Sequence, residues 1–208
     1  MELCNWFVRL FGRLAERIVH SRNTLDLLLD SSFVETYSTH DEQGSGYSGY
    51  KEKNGFKLHQ IIDFATRLPL FQDVSSGNVA DITGGRALVA RAPPNLPVRS
   101  FAADKGYDSE YFVHDIKEKW SAEVAIPQRH HQHDGNALNR QLRGARRTHN
   151  PEIYKRRTEI ERYFSRKKGV FNLGEERTRH LTNFRTNCFF TSCMEILEWL
   201  CKQETVAA

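Results

Sequence analysis

Between Leu25 and Ile126 the chain carries five strand-length apolar or alternating runs, and their spacing changes partway. The run Leu25–Leu29 is short and apolar and closes on Asp30, with Phe33–Tyr37 able to continue it; Gly55–Asp63 alternates; Pro69–Val74 follows after a tight turn at Phe64–Leu68. Only loops separate these three, so they read as an antiparallel meander. The next runs, Arg99–Ala103 and Ala122–Ile126, are set apart by helix-length segments. One is predicted over Val79–Arg91, with Ser75, Ser76 and Asn78 as capping types and Pro93, Pro94 and Pro97 as its stop. The other is capped by Ser109 and runs to Trp120. A meander followed by helix–strand alternation predicts an α/β chain with a mixed five-stranded sheet flanked by helices. Residues 41–49, DEQGSGYSG, read as a flexible loop.

The flanks are helical. MELCNWFVRLFGRLAERIVH repeats Leu3, Trp6, Phe7, Leu10, Phe11, Leu14 and Ile18 at helical spacing. It reads as a helix packed on the core rather than as an organelle presequence. A long helix is predicted to begin at Asn150–Pro151, with Pro at its first position, and to reach Lys168. A last helix covers about 184–202. The expected organisation is a helix over 1–24, a core over 25–185, and a C-terminal helix and tail over 186–208.

Charge points to a polyanion. Gln128–Lys168 holds twelve Lys/Arg against four Asp/Glu, whereas the whole chain carries only +4. A block of this kind suits nucleic acid, although a solvated charged face gives the same count. His130, His131 and His133 stand in that segment and read as solvated or near DNA rather than as a metal tract; His59, in a strand, reads as structural. Cys4, Cys188, Cys193 and Cys201 form no CxxC pair, so they read as free thiols in a reducing compartment. No apolar run approaches the roughly 20 residues of a membrane span.

Three acids stand out by position. Asp30 and Asp104 each close a strand, where open α/β sheets place ligands. On one continuous helix over 151–168, turning about 100° per residue, Tyr154, Arg157, Glu161 and Lys168 share an edge beside the apolar stripe Ile153, Ile160 and Phe164. The same wheel sends Glu159 into solvent and selects Glu161 as the working carboxylate.

These residues carry a resemblance. YKRRTEIERYFSRKK resembles the Y-x2-R-x3-E-x6-K signature of insertion-sequence DDE transposases, with Tyr154, Arg157, Glu161 and Lys168 at its fixed positions. LLLDSSFVETYS is similar to that family's first Asp segment and FAADKGYDS to its second. The resemblance covers about residues 25–185. It implies a ribonuclease-H-like fold, and Asp30, Asp104 and Glu161 as catalytic and metal-binding residues. Two Mg²⁺ or Mn²⁺ ions would serve cleavage of transposon ends and strand transfer. Tyr154, Arg157, Lys168, Arg162, Lys167 and Lys105 would contact DNA, with Arg156 and Arg166 gripping phosphate alongside them. The implied partners are transposon-end and target DNA and a second subunit, in a cytoplasmic, nucleoid-associated protein. About 24 residues precede the first strand, so the family's usual N-terminal DNA-binding domain is expected to be missing. Two alternatives stay open: an inactive fragment that binds DNA or dimerises with an intact enzyme, and a ribonuclease-H-like nuclease acting on other nucleic acids.

Overall fold

The computed structural model describes residues 2–36, 44–129, 149–175 and 180–207; the three loop histidines, His130, His131 and His133, lie outside them. At the centre of the sheet is β1 (Leu25–Glu35), antiparallel to β3 (Lys53–Asp63) and parallel to β5 (Val98–Ala103). Beyond β3 lies antiparallel β4 (Pro69–Ser76), and beyond β5 lies parallel β6 (Glu123–Ala125). The order is therefore β4–β3–β1–β5–β6, with β3 alone reversed, which is the mixed sheet of the ribonuclease-H-like class. A sixth strand, β2 (Gly46–Ser48), pairs with the start of β3, Gly46 opposite Gly55. Its three residues sit inside the stretch whose composition predicted a flexible loop. Backbone pairing with an existing strand overrides weak local propensity there.

The β3–β4 turn shows why the chain reverses where it does. Asp63 accepts from the Thr66 amide at 2.9 Å and the Thr66 hydroxyl at 3.0 Å, and Arg67 takes a left-handed φ of 59°. Helix α2 (Asp81–Arg91) then carries the chain from β4 to β5, and α3 (Glu110–Trp120) from β5 to β6. Ser109 caps α3, accepting from the Phe112 amide. At α2 the N-cap is Ala80, with no side-chain cap, so Ser75, Ser76 and Asn78 do not serve that end.

Alternation along the strands splits the core in two. Leu27, Leu29, Phe101 and Ala103 face α1 (Glu2–His20), α2, α3 and part of the long last helix. Leu28, Leu58, Ala102 and Ala125 face α4 (Pro151–Lys155), α5 (Thr158–Val170) and the start of α6 (Leu181–Ala207). Each leucine or phenylalanine among them is worth roughly 1.5–3 kcal/mol when fully buried, and each alanine less. Helix α1 packs on α6 through edge-on rings, Phe11 against Phe189 at 5.4 Å and Phe7 against Phe190 at 5.2 Å. Its first turns are amphipathic, with Cys4 buried and Leu3 and Trp6 exposed.

The predicted helix over 151–168 is two helices. Asn150 caps the first as expected, with Pro151 at its start. Around Arg156–Arg157 the chain tightens, because the amides of residues 156, 157, 159 and 160 bond to carbonyls three residues back. Winding at three residues per turn adds about 20° per residue over the α-helix. Everything after the turn is therefore rotated against a continuous wheel. Glu159, Tyr163 and Lys167 move onto the buried side, and Glu161 moves out.

Candidate active site

Asp30 lies on β1 one step past the register pair Leu29↔Ala103, and Asp104 is the residue after Ala103 at the end of β5. The strands are parallel neighbours, so the two acids come close enough for the charge of Asp104 to act on Asp30. By alternation Asp30 shares the face of Leu28 and Val34, the face covered by α5. Asp104 accepts from the Gly106 amide and begins a short 3-10 turn, Lys105–Tyr107.

The surroundings of Asp30 leave it short of compensation. Burial pushes its carboxyl up to about 7; the Ser31 amide, donating at 2.8 Å, and Arg157 oppose the rise, while the charges of Asp104 and Asp81 add to it. Asp81, in the first turn of α2, accepts from Ser31 Oγ at 2.7 Å and from Lys57 at 2.8 Å. That contact fixes the strand just past Asp30.

Glu161 is held rather than free. Its carboxylate pairs with Arg157 at 2.7 Å, and the side chain is 51% exposed. Arg157 itself is half-buried, lies 5.7 Å over the Tyr154 ring, and feels both Glu161 and Asp30. One guanidinium thus links the third acid to the first. Among the described residues no three His, Cys, Asp or Glu side chains gather as a metal-binding group. The donor chemistry nevertheless fits a hard divalent cation. Asp30 and Asp104 are adjacent oxygen donors, and neither Arg157 nor the Ser31 amide restores Asp30 to an ordinary acidity.

The expected DNA-contacting residues divide. Lys105 and Lys168 are exposed, and Arg157, paired with Glu161, lies over the Tyr154 ring. Arg162 is 71% exposed but paired with Glu159. Lys167 has to be withdrawn: it is fully buried, donating to Thr191 Oγ1 at 3.0 Å and Ser192 Oγ at 2.8 Å and pairing with Glu195 at 3.2 Å. It holds α5 to α6 and has no path to a phosphate. Arg156 is likewise committed inward, to Asp26 at 3.1 Å and over the Phe64 ring at 5.1 Å. Arg166 pairs with Glu198 on α6 at 2.8 Å. Glu159 is buried between Arg67, at 2.8 Å, and Arg162, where the wheel put it in solvent. His59 is structural as read: buried, bonded to Ser75 Oγ at 2.8 Å, and pushed down to about 4 by burial.

Sequence reasoning missed Asp26. It sits inside the run taken as apolar, buried on the same face as Asp30, and is met by Arg99, Ser100 and Arg156. A charged residue within a buried strand was the available signal.

The profile of the family described as Transposase DDE domain matches residues 22–194. Among solved structures the chain is similar to a piggyBac transposase synaptic complex with hairpin DNA, determined by cryo-EM. The identity is 12% and the TM-score 0.49, covering 91% of this chain and 51% of that one. This chain thus spans about half the length of that protein. No curated protein matches the chain.

Proposed function

The chain belongs to the DDE transposase domain family, and on that premise we propose that it cleaves transposon ends and joins them to target DNA. The family works with divalent metal ions. The supporting observation is the pair Asp30–Asp104, with Asp104 just past the end of β5, Asp30 beside it on the parallel neighbour β1, which runs on to Glu35 instead of closing at Asp30, and Glu161 tied to Asp30's surroundings through Arg157. Asp30, Asp104 and Glu161 would hold two Mg²⁺ or Mn²⁺ ions. When bound, such ions neutralise the scissile phosphate and activate the attacking oxygen.

The protein's own groups have separable tasks. Asp30, within β1, and Asp104, directly after β5, supply closely spaced carboxylate oxygens anchored by the sheet. Arg157 offsets that charge while the site is free of metal, and it can turn to a phosphate, which its planar donors grip bidentately. Tyr154 presents a ring beside Arg157 on which a displaced base can stack. Lys105, Lys168 and Arg162 add sequence-independent phosphate contacts. Residues 25–185 would form the catalytic core, and a homodimer on DNA would bring two ends together in the nucleoid.

The test uses the full chain, supercoiled plasmid, and duplexes carrying the inverted repeats that flank its gene, with Mn²⁺ or Mg²⁺. Expected are nicks that vanish in Glu161→Gln and Asp104→Asn, and products in which a repeat end is joined to plasmid. Absence of nicking with every divalent ion, in protein shown to be folded, would overturn the reading. Nicks without joined products would reduce it to a nuclease.

A further inference from the structure

On the opposite side of the sheet from the acids, α1, β4, the end of α2 and α6 enclose a cavity of about 670 Å³. Its volume falls in the range of small-molecule sites. None of its lining residues belongs to the proposed catalytic set. Its wall is chiefly apolar, formed by Val8, Phe11, Leu70, Leu88 and Phe189.

Its polar lining comprises three arginines, Arg22, Arg91 and Arg185, together with His20, Gln72, Asn95 and a single carboxylate, Glu16. Arg91 and Arg185 share a single carboxylate, Asp73, at 2.6 and 3.4 Å, so the two guanidinium groups are only half matched by their own partner, and Glu16 is the one acid lining the cavity itself. Arg22 reaches Asp63 only at 3.9 Å, and Asp63 is already engaged by Thr66. The Nε atoms of Arg22 and Arg185 are buried without a hydrogen-bond acceptor. A buried donor without an acceptor is costly, so both call for an oxygen from whatever fills the space.

Gly12 is the second observation. It lines the cavity from the middle of α1, and a Cβ built there meets nothing within 4 Å. Neither a positive φ nor close packing requires glycine at this place. A mid-helix glycine weakens a helix relative to alanine. Here its effect is to leave the space open.

We propose that this cavity is a binding site for an apolar carboxylate, with the hydrocarbon against α1, β4 and α6 and the acid group among Arg22, Arg91 and Arg185. Filling it would stabilise the packing of α1 on the sheet by mass action.

The experiment is titration calorimetry of the full chain with dodecanoate below its micelle threshold, beside dodecanol and acetate. Dodecanoate should bind at one site in the micromolar range, dodecanol about tenfold more weakly, and acetate not measurably. Gly12→Leu, which fills the space, should lose dodecanoate binding while keeping the wild-type circular dichroism and a melting temperature no lower than that of the wild type. Arg185→Gln should weaken dodecanoate about tenfold and leave dodecanol unchanged. Unsaturable or multisite binding, equal affinity for dodecanoate and dodecanol, or unaltered binding in a folded Gly12→Leu would each overturn the proposal, as would no binding at all, which would mean the cavity simply holds water. None of these readings depends on DNA cleavage.

Discussion

Asp26 and Asp30 sit on the same face of the same strand, four residues apart, and the protein treats them in opposite ways. Burial disfavours the charge of Asp26, yet hydrogen bonds from Arg99 and Ser100, with the charges of Arg99 and Arg156, outweigh it and hold the carboxyl below its ordinary value. Burial disfavours the charge of Asp30 as well, and there the Ser31 amide and Arg157 fail to offset it against Asp104 and Asp81. Consecutive residues of one tight turn, Arg156 and Arg157, attend to the two acids. A buried acid with a full set of partners is part of the scaffold. A buried acid left short of them is unfavourable in the free protein, and under the proposed function a bound cation would relieve that deficit.

The widest separation should appear in chemistry. Asp30→Asn is expected to lower metal-dependent nicking at least about a thousandfold, the scale on which removing a core catalytic group acts. Asp26→Asn should retain nicking in proportion to the folded fraction. Comparable losses in both variants, at matched folded fractions, would erase the distinction. Stability should show the reverse ranking. Asp26→Ala strips the inward partner from Arg156 and is expected to cost about 3 kcal/mol in a urea melt, the low end for breaking a buried pair because Arg99 is 60% exposed. Because the folded-state pKa of Asp26 is depressed, its contribution is present above about pH 4 and is lost as pH falls through that lowered value. A cost below about 1 kcal/mol at pH 7 would mean that the ion pair is ornamental.

Asp30 should behave oppositely in metal-free protein. Its folded-state pKa, about 7, lies above the unfolded value of 3.8, so the folded state binds the extra proton between them. Stability from this site therefore falls as pH rises from about 4 to 7 and is lowest above 7. Asp30→Asn copies the neutral form. It is expected to stabilise the protein by about 1–2 kcal/mol at pH 8, and the gain should vanish near pH 4. Millimolar Mg²⁺ should raise the wild-type melting temperature and leave that of Asp30→Asn unmoved. A destabilised Asp30→Asn at pH 8 without metal would place Asp30 with Asp26.

What could be read in advance followed from short-range rules. The five runs became five strands because strand-length apolar segments between turn formers have few other places to go, and Ser109 and Asn150 capped as their side chains dictate. The position of Asp104 was legible because a strand end is a sequence feature, whereas Asp30, read as closing its strand, lies in the middle of β1 because the strand runs on to Glu35. The partners of those acids were not. Arg156 meets Asp26 across 130 residues of chain, and the Lys167–Glu195 pair forms only once α5 and α6 are packed. The helix-wheel reading failed for a local reason of its own: four amides bonding three residues back rotated everything after Arg157, and no residue there announces the turn. A signature written as fixed spacings is indifferent to that rotation, which is why Glu161 and Lys168 remained identifiable while Glu159 and Lys167 were misplaced.

The smallest expected effect tests that rotation directly. A continuous helix leaves Glu159 in solvent, and Glu159→Gln is then neutral. With the tight turn, Glu159 is 7% exposed and bridges Arg67, from the β3–β4 turn, to Arg162. Gln preserves the shape and one acceptor but removes the charge facing two guanidinium groups. Both of those arginines are well exposed, so water recovers much of what they lose. The expected cost is therefore about 1 kcal/mol, seen as a lower urea midpoint with an unchanged slope. Nicking should persist, because Glu159 points toward the β3–β4 turn and away from Asp30. Glu161→Gln gives the complementary result: it loses only a half-exposed pair with Arg157, so stability should move by less than about 0.5 kcal/mol while nicking disappears. A stable, inactive Glu159→Gln beside an active Glu161→Gln would reverse the assignment and restore the unbroken helix.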